Sequence, residues 1–338
     1  MTTLTNLKSK FKKIPLFLLT GTIMAVTPGC GSEDISSENV EISEDSSPAA
    51  SFASSEEDTS SKEKGSRDNT PVCLVPEAPG EVIYENKYAH LDASNSSEGY
   101  VTVRYIGDSG KVKLQITGPT DITYTYNLSV TRQLDEVFPL QCGDGLYMVN
   151  VFENIEGTKY ANVFSQQIDV ALADEFSPFL YPNQYVSFDK DSLAVSKGES
   201  LAYSCNSDLE VVSEIYNYMI NNIIYDYEEA ETVQSGYIPD VDEVLTTGTG
   251  ICLDYSALMT AMLRSQRIPT RMEIGYAGTA YHAWLSTYIS DIGWVNGMIE
   301  FDGKDWSLMD PTFASNTSSE TLKDFIGDGS NYSVKYIY

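Results

Sequence analysis

Three residues in the C-terminal half of the 338-residue chain have the types and the order of a cysteine-based catalytic triad: Cys252, His282 and Asp310. Cys252 follows two glycines, Gly248 and Gly250, and precedes a stripe of apolar residues, which predicts that it opens a helix. The free backbone N–H groups at a helix N-terminus favour an anion, so they promote ionisation of a thiol and can also stabilise an oxyanion. The expected chemistry is therefore attack by a thiolate on a carbonyl carbon.

Two further residues are expected to complete this chemistry. His282 lies on a predicted strand, Ala280–Tyr288, and it is the only histidine after His90, so it is the only imidazole available to Cys252. Asp310 ends another apolar strand and can orient the imidazole. Taken singly, a histidine beside aromatic residues is more often structural, and an aspartate before proline more often caps a turn. The prediction of a triad depends on all three residues occurring together in this order.

The segments around these residues resemble the three core motifs of the transglutaminase-like (papain-related) superfamily. The segments are Gly250–Ser256, Tyr281–Trp284 and Trp306–Phe313, and the resemblance covers roughly residues 205–315. Residues 233–262 also resemble secreted members of this superfamily from Gram-positive bacteria. The resemblance implies a papain-like α+β core, and we predict a transglutaminase-like catalytic domain at residues 176–338.

The resemblance also implies a role for each matching residue. Cys252 is the implied nucleophile, His282 the general base and then the general acid, and Asp310 the residue that orients the imidazole. Asp254 and Trp284 match positions that are structural rather than catalytic in the superfamily. An upstream aromatic residue usually supplies the second oxyanion donor, and the candidates for it are Tyr216, Tyr225 and Tyr237.

The part of the chain before this domain has the pattern of an antiparallel β-sandwich. Apolar and polar residues alternate with a period of two in short segments that end at turns, which is typical of half-buried strands. These segments are residues 99–106, 111–117, 122–130, 145–152 and 162–170. Many tyrosines lie on them, and strand packing explains these better than a sugar-binding face does. We predict a β-sandwich domain at residues 71–175 and an α+β class for the whole protein.

The first seventy residues have the composition of a targeting segment and a spacer. Four lysines within residues 8–13 precede the 13-residue apolar stretch Ile14–Val26, which predicts a signal peptide at residues 1–29. Gly29 and Cys30 resemble a bacterial lipobox, so Cys30 is the expected lipidation site, with ordinary signal cleavage as the alternative. Residues 31–70 contain 12 serines and 11 acidic residues, which predicts a disordered linker at residues 30–70. The protein is expected to be exported, either lipid-anchored on the extracellular face of the cell membrane or secreted.

The charge balance and the residue counts exclude several other functions. The chain has 49 acidic and 21 basic residues and a net charge of −28, which excludes a nucleic-acid-binding protein that relies on phosphate neutralisation. Two histidines cannot form a multi-histidine metal site, and the five cysteines form no C-x-x-C pair. No apolar run is long enough to span a bilayer. We predict no cofactor, no nucleic-acid partner, and contact with a membrane only through the lipid anchor.

Three cysteines outside the predicted site have two interpretations. Cys73 and Cys142, both in the predicted β domain, are candidates for a disulfide, which export permits and which leaves Cys205 free. The alternative is that all three are buried thiols.

Acyl transfer is the chemistry that the triad predicts, and the acceptor decides the activity. Water acting on a backbone amide gives a cysteine protease, water acting on a glutamine side chain gives a deamidase, and a lysine amine as acceptor gives a crosslinking transglutaminase. We predict amide or peptide-bond hydrolysis of a protein or peptide substrate at the cell surface, with crosslinking as the alternative. A non-catalytic adhesion or scaffold module is the alternative from another class.

Overall fold

The computed structural model describes residues 62–130, 134–277, 280–290, 292–295, 299–301, 306–308 and 332–338. The helices in this part of the chain are α1 (Leu193–Ala202), α2 (Asp208–Asn222), α3 (Tyr227–Thr232), α4 (Val241–Thr247) and α5 (Cys252–Ser265). The strands are β1 (Ile83–Glu85), β2 (Ala89–Asp92), β3 (Tyr100–Tyr105), β4 (Val112–Thr117), β5 (Thr123–Leu128), β6 (Glu136–Pro139), β7 (Gly145–Glu156), β8 (Lys159–Val170), β9 (Ile224–Tyr225), β10 (Thr249–Gly250), β11 (Thr270–Ala277), β12 (Ala280–Ile289), β13 (Gly293–Val295), β14 (Ile299–Phe301), β15 (Trp306–Leu308) and β16 (Tyr332–Ile337). Two short 3-10 helices lie at Ser96–Glu98 and Ser177–Phe179.

Two four-stranded antiparallel sheets form the N-terminal half. Their strand orders are β1-β2-β3-β6 and β5-β4-β7-β8. Inward-facing side chains of both sheets, such as Val101 and Phe138 of one and Leu114 and Val149 of the other, belong to one buried cluster. The predicted α+β class, with an antiparallel β-sandwich before a helical core, is confirmed.

The alternation in the sequence located the long strands of this sandwich and missed the short ones. Strands β3, β4, β5, β7 and β8 coincide with the five alternating segments to within a few residues. Strands β1, β2 and β6 have only three or four residues each, which is too short for a period of two to stand out.

The C-terminal half is built around α5, which lies against the sheet β13-β12-β11-β16. Twelve of the fourteen residues of α5 are buried, because α1, α2 and α4 cover the sides that the sheet leaves open. The starts of α5 and of strand β12 lie where the sequence predicts them. Helix α1 was not predicted, in part because it contains Gly198, a residue that disfavours helices. A side chain there would lie 3.3 Å from the backbone oxygen of Met262 on α5, so the close packing of the two helices requires a residue that disfavours helices.

Residues 65–70 fall inside the segment predicted as a linker, and in the structure they are held against the helices. The Arg67 side chain donates to Asp208 at 2.7 Å and to the backbone oxygen of Gln266 at 2.5 Å. Gln266 in turn donates to the backbone oxygen of Asn69 at 3.0 Å. Composition could not reveal these bonds, because their partners lie more than a hundred residues further along the chain.

Helix α2 is capped by Ser207, whose hydroxyl accepts the N–H of Glu210 at 3.2 Å. Asp208 is the first helical residue, and its carboxylate is the partner of Arg67.

Aromatic contacts join the sandwich to the helical half. Tyr338 packs against Tyr124 and Tyr126 of β5, with ring centroids 5.6 and 6.0 Å apart, and against Tyr185 at 4.4 Å. All the described residues belong to one compact unit, Glu56–Tyr338. The division into domains at residues 71–175 and 176–338 therefore stays a prediction.

The cysteines of the described residues are all free thiols, so Cys73 and Cys142 are not bridged. Of the two interpretations left open by the sequence, unbridged thiols are the one observed. Burial raises the pKa of Cys205 to about 11 and also raises the pKa of Cys73. Within the described residues, no helix combines the length and the apolar character that a membrane crossing needs.

The buried guanidinium of Arg264 fixes the far end of α5. It donates to the backbone oxygens of Thr270 at 2.8 Å, Tyr181 at 2.6 Å and Tyr338 at 2.8 Å. Burial lowers the pKa of Arg264 to about 9, which leaves it charged at neutral pH. One side chain thus ties α5 to β11, to the end of β16 and to the segment that follows the sandwich.

We predict that Arg264→Ala lowers the free energy of unfolding by about 3–5 kcal/mol, because three buried carbonyl oxygens lose a donor and a cavity opens. Urea unfolding followed by circular dichroism measures this change. Arg104→Ala is the matched control, since Arg104 is partly exposed and pairs with Asp135 at 3.4 Å; we expect it to cost less than about 1 kcal/mol. Equal losses in the two variants would contradict the anchoring role of Arg264.

Candidate active site

Cys252 is the first residue of α5, as the sequence predicts. Gly248 ends α4 in the left-handed conformation, with φ of 67°, which turns the chain back. The next two residues, β10, pair in parallel with β9 and lead to Ile251, the N-cap of α5. The first N–H groups of an α-helix have no partner within the helix, so the thiol of Cys252 lies beside free donors.

A buried carboxylate fixes this turn. Asp254, at the third position of α5, accepts the N–H of Ile251 at 2.8 Å and the hydroxyl of Tyr237 at 2.8 Å. Gly250 allows Asp254 to come this close, because a side chain at residue 250 would lie 2.8 Å from the Cβ of Asp254. The backbone around Cys252 is therefore held from both sides of the residue.

Burial shifts the pKa values of both Asp254 and Tyr237. It raises the pKa of Asp254 to about 6, although the hydrogen bonds from Ile251 and Tyr237 act in the opposite direction. The pKa of Tyr237 is raised too, first by burial and then by its hydrogen bond to the Asp254 carboxylate. Asp254 also matches the electrostatics of the helix, since a negative group in the first turn is stabilised by the free N–H groups.

His282 is buried on β12, a strand that has neighbours on both sides. It lies opposite Gly275 of β11, and the pairing of β11 with β16 shifts register next to this glycine. A side chain at Gly275 would lie only 2.1 Å from the backbone oxygen of Ser333 on β16. The glycine thus lets β16 approach the strand pair that carries His282.

Trp284 and Glu273 form a buried cross-strand pair two residues further along β12. The indole of Trp284 donates to the Glu273 carboxylate at 2.7 Å, and burial raises the pKa of Glu273. This arrangement agrees with the structural role that the resemblance implies for Trp284. The sequence did not predict the role of Glu273, because a single acidic residue carries no pattern that marks it as buried.

Cys252 and His282 line the same cavity, which has a volume of about 680 Å³. Strands β11 and β12, the start of α5 and the segment from α3 to Tyr237 all contribute lining residues. Its lining residues are Thr125, Tyr185, Tyr225, Ala230, Val233, Gln234, Ser235, Gly236, Tyr237, Ile251, Cys252, Leu253, Ile274, Tyr281, His282, Ala283, Tyr336 and Tyr338. A thiol, an imidazole and a helix N-terminus at one cavity are the groups that nucleophilic attack on a carbonyl requires.

The other predicted site residues have different outcomes. Tyr225 and Tyr237, two of the candidate oxyanion donors, line the cavity, whereas Tyr216 is buried on α2 and is not among the lining residues. Asp310 and Cys30 lie outside the described residues. Among the described residues, no cluster of three or more histidine, cysteine or acidic side chains is arranged to hold a metal ion.

Some lining residues could not be predicted. Thr125 comes from the sandwich, Tyr185 from the segment after it, and Tyr336 and Tyr338 from β16 and the residue after it. Nothing in their local sequence distinguishes them from the other 20 tyrosines and the remaining threonines. They reach the cavity only through long-range packing.

We predict that Asp254 makes stability depend on pH between about 4 and 6. The unfolded chain releases this proton near the ordinary value of 3.8, whereas the folded chain keeps it up to about 6. Folding therefore takes up a proton in this window, and the contribution of Asp254 to the free energy of unfolding falls as the pH rises.

Asp254→Asn removes this contribution. The stability of the unmodified chain relative to the variant should fall by up to about 3 kcal/mol from pH 4 to pH 7, as urea unfolding at each pH measures. Asp240→Asn is the control, because Asp240 is an exposed cap of α4 that accepts the N–H groups of Asp242 and Glu243. The prediction is wrong if both variants show the same pH dependence.

Part of the chain is similar to known proteins. Residues 197–297 match the model of the transglutaminase-like superfamily. The Methanocaldococcus jannaschii protein named UPF0252 protein MJ1282 is 27% identical over 111 residues, which are 29% of this chain and 32% of that protein. The chain thus matches about a third of the length of this curated relative.

Two solved structures are also similar to this chain. A candidate cysteine protease from Cytophaga hutchinsonii is 17% identical and covers 68% of both chains, with a TM-score of 0.32. The periplasmic domain of TgpA from Pseudomonas aeruginosa is 15% identical and covers 71% of this chain and 76% of that one, with a TM-score of 0.28. Cys252 and His282 both lie within the residues that the family model matches. The chain is therefore transglutaminase-like over residues 197–297.

Proposed function

We propose that this protein is a cysteine hydrolase that cleaves an amide bond of a protein or peptide through an acyl-enzyme. The observation that carries the proposal is the position of Cys252 and His282 on one cavity, with the thiol at the first residue of α5. The match to the transglutaminase-like superfamily supports the same chemistry.

The proposed reaction has two halves. His282 takes the proton of the Cys252 thiol, and the sulfur attacks the carbonyl carbon while backbone N–H groups at the start of α5 hold the oxyanion. The imidazolium of His282 then gives its proton to the leaving amine as the C–N bond breaks. In the second half, neutral His282 takes a proton from water, the hydroxide attacks the thioester, and the C–S bond breaks to release the acid. Asp310 is proposed to orient the imidazole.

Hydrolysis and crosslinking share every step up to the thioester. They differ only in the acceptor, which is water in the first case and a lysine amine in the second. The groups described at the cavity are those that both activities need. We place hydrolysis first because water needs no binding site of its own, whereas an amine acceptor does.

The proposal includes a location at the cell surface. Residues 1–29 are the proposed signal peptide and Cys30 the proposed lipidation site, followed by an acidic, serine-rich linker. Because residues 65–70 are held against the helices, the proposed linker ends before residue 65. Its 34 residues from Gly31 to Lys64 can keep the domain away from the membrane surface.

We predict that the rate of Cys252 labelling by iodoacetamide rises with pH and reaches a plateau well below pH 8.5, which is about the pKa of a free thiol. Peptide mass spectrometry of the full chain carrying Cys30→Ser follows each cysteine separately. His282→Ala should abolish the plateau, because the thiolate loses its imidazolium partner. Cys142 is the control within the same chain, since it is a free thiol of intermediate exposure. A rate at Cys252 that rises through pH 9 in both proteins would show that the pair is not formed.

We predict that Cys252→Ala abolishes both peptide hydrolysis and incorporation of a fluorescent amine, and that His282→Ala lowers the rate by ~10²–10⁴-fold. The measurement uses a casein digest with and without the amine. Release of new peptide termini supports hydrolysis, and amine incorporation with no new termini would replace hydrolysis by crosslinking.

A further inference from the structure

We infer that the cavity beside Cys252 selects a peptide substrate by binding an uncharged apolar or aromatic side chain next to the amide that is attacked. This inference rests on the proposed function and names its substrate class.

The lining of the cavity has no charged side chain of Lys, Arg, Asp or Glu among the described residues. Six tyrosines and a group of aliphatic residues surround the thiol instead. This composition contrasts with the chain as a whole, in which 21% of the residues are charged. A lining of aromatic and aliphatic groups with a few polar ones is what small apolar groups bind to.

Exposed aromatic residues lie at the edge of this cavity. Tyr281 lines it and is 60% exposed, and it meets Tyr276 of the neighbouring strand at a centroid distance of 5.5 Å. Val233, on the opposite segment, is also exposed. Exposed apolar surface has a cost in water, so its concentration beside a nucleophile indicates a surface that a ligand covers.

A charged side chain of the substrate would bind poorly in this cavity. It would lose its hydration and meet no opposite charge among the described lining residues, which is unfavourable. Acidic side chains face a further penalty, because α3 supplies Ala230 to the lining and carries exposed Glu228 and Glu231 beside it. The expected order is therefore apolar first, basic second and acidic last.

The volume is sufficient for this role. About 680 Å³ is well within the range of about 300–1,000 Å³ typical of ligand pockets. A Phe or Leu side chain with its neighbouring backbone can be enclosed between the tyrosines. Aromatic pairs there add to the free energy of burial.

The test uses four peptidyl acyloxymethyl ketones that differ only in the side chain next to the reactive group: Phe, Leu, Lys and Glu. The measured quantity is the second-order rate of Cys252 labelling in the full chain carrying Cys30→Ser. We expect the Phe and Leu probes to react at least ~10-fold faster than the Lys probe, and the Glu probe to be slowest. Iodoacetamide serves as the reference without a side chain.

A charge placed in the lining should change this preference. Val233→Asp is expected to raise the rate of the Lys probe relative to the Phe probe by ~10-fold, because it supplies the missing opposite charge. Val75→Asp is the matched control, since Val75 is an exposed valine outside the lining, and it should leave the ratio unchanged. Circular dichroism of both variants verifies that they fold.

The outcomes distinguish a failure of the side-chain selectivity from a failure of the proposed function. Equal rates for all four probes, with the plateau of iodoacetamide labelling retained, would overturn the selectivity and leave Cys252 as the nucleophile. Absence of both the labelling by ketones and the plateau would overturn the proposed function itself. Protection of Cys252 by N-acetylchitotriose, without selection among the ketones, would assign the tyrosines to a glycan and also overturn the inference.

Discussion

The burial of α5 is the constraint on which the rest of this structure depends. A helix with twelve of fourteen residues buried cannot shift without disturbing the sheet on one side and three helices on the other. Cys252, the proposed nucleophile at its first residue, therefore takes its position from the helix. The same burial explains why the helix needs internal anchors, such as the Tyr255 hydroxyl that donates to the backbone oxygen of Ile223.

Two buried charges complete this helix, and their signs follow its dipole. Asp254 lies in the first turn and Arg264 in the last, where a negative and a positive group are respectively stabilised. Each is satisfied by hydrogen bonds rather than by an ion pair, since Asp254 accepts from Ile251 and Tyr237 while Arg264 donates to three carbonyl oxygens. The two groups thus fix the two ends of α5.

How much of this could be predicted depends on how local the cause is. Strand β4 follows from the alternation of apolar and polar residues, and the start of α5 follows from the glycines before it. Both patterns span only a few residues, so the sequence alone predicts the strand and the position of Cys252. His282 was predicted as its partner because it is the only histidine after His90, and the resemblance to a known superfamily implies the same role. The structure brings both residues to one cavity. Thr125, Tyr185 and the anchoring of Arg67 depend on residues far apart in the chain, and no local pattern encodes such contacts.

The contribution of Thr125 to the cavity has a consequence for how the molecule responds to a ligand. Strand β5 lines the cavity and also packs through Tyr124 and Tyr126 on Tyr338, so loosening of the sandwich opens the cavity wall. By mass action, a molecule held in the cavity favours the state in which that wall is intact. Occupancy of the site and cooperative unfolding of the sandwich are thus linked, and a ligand protects strands that never touch it.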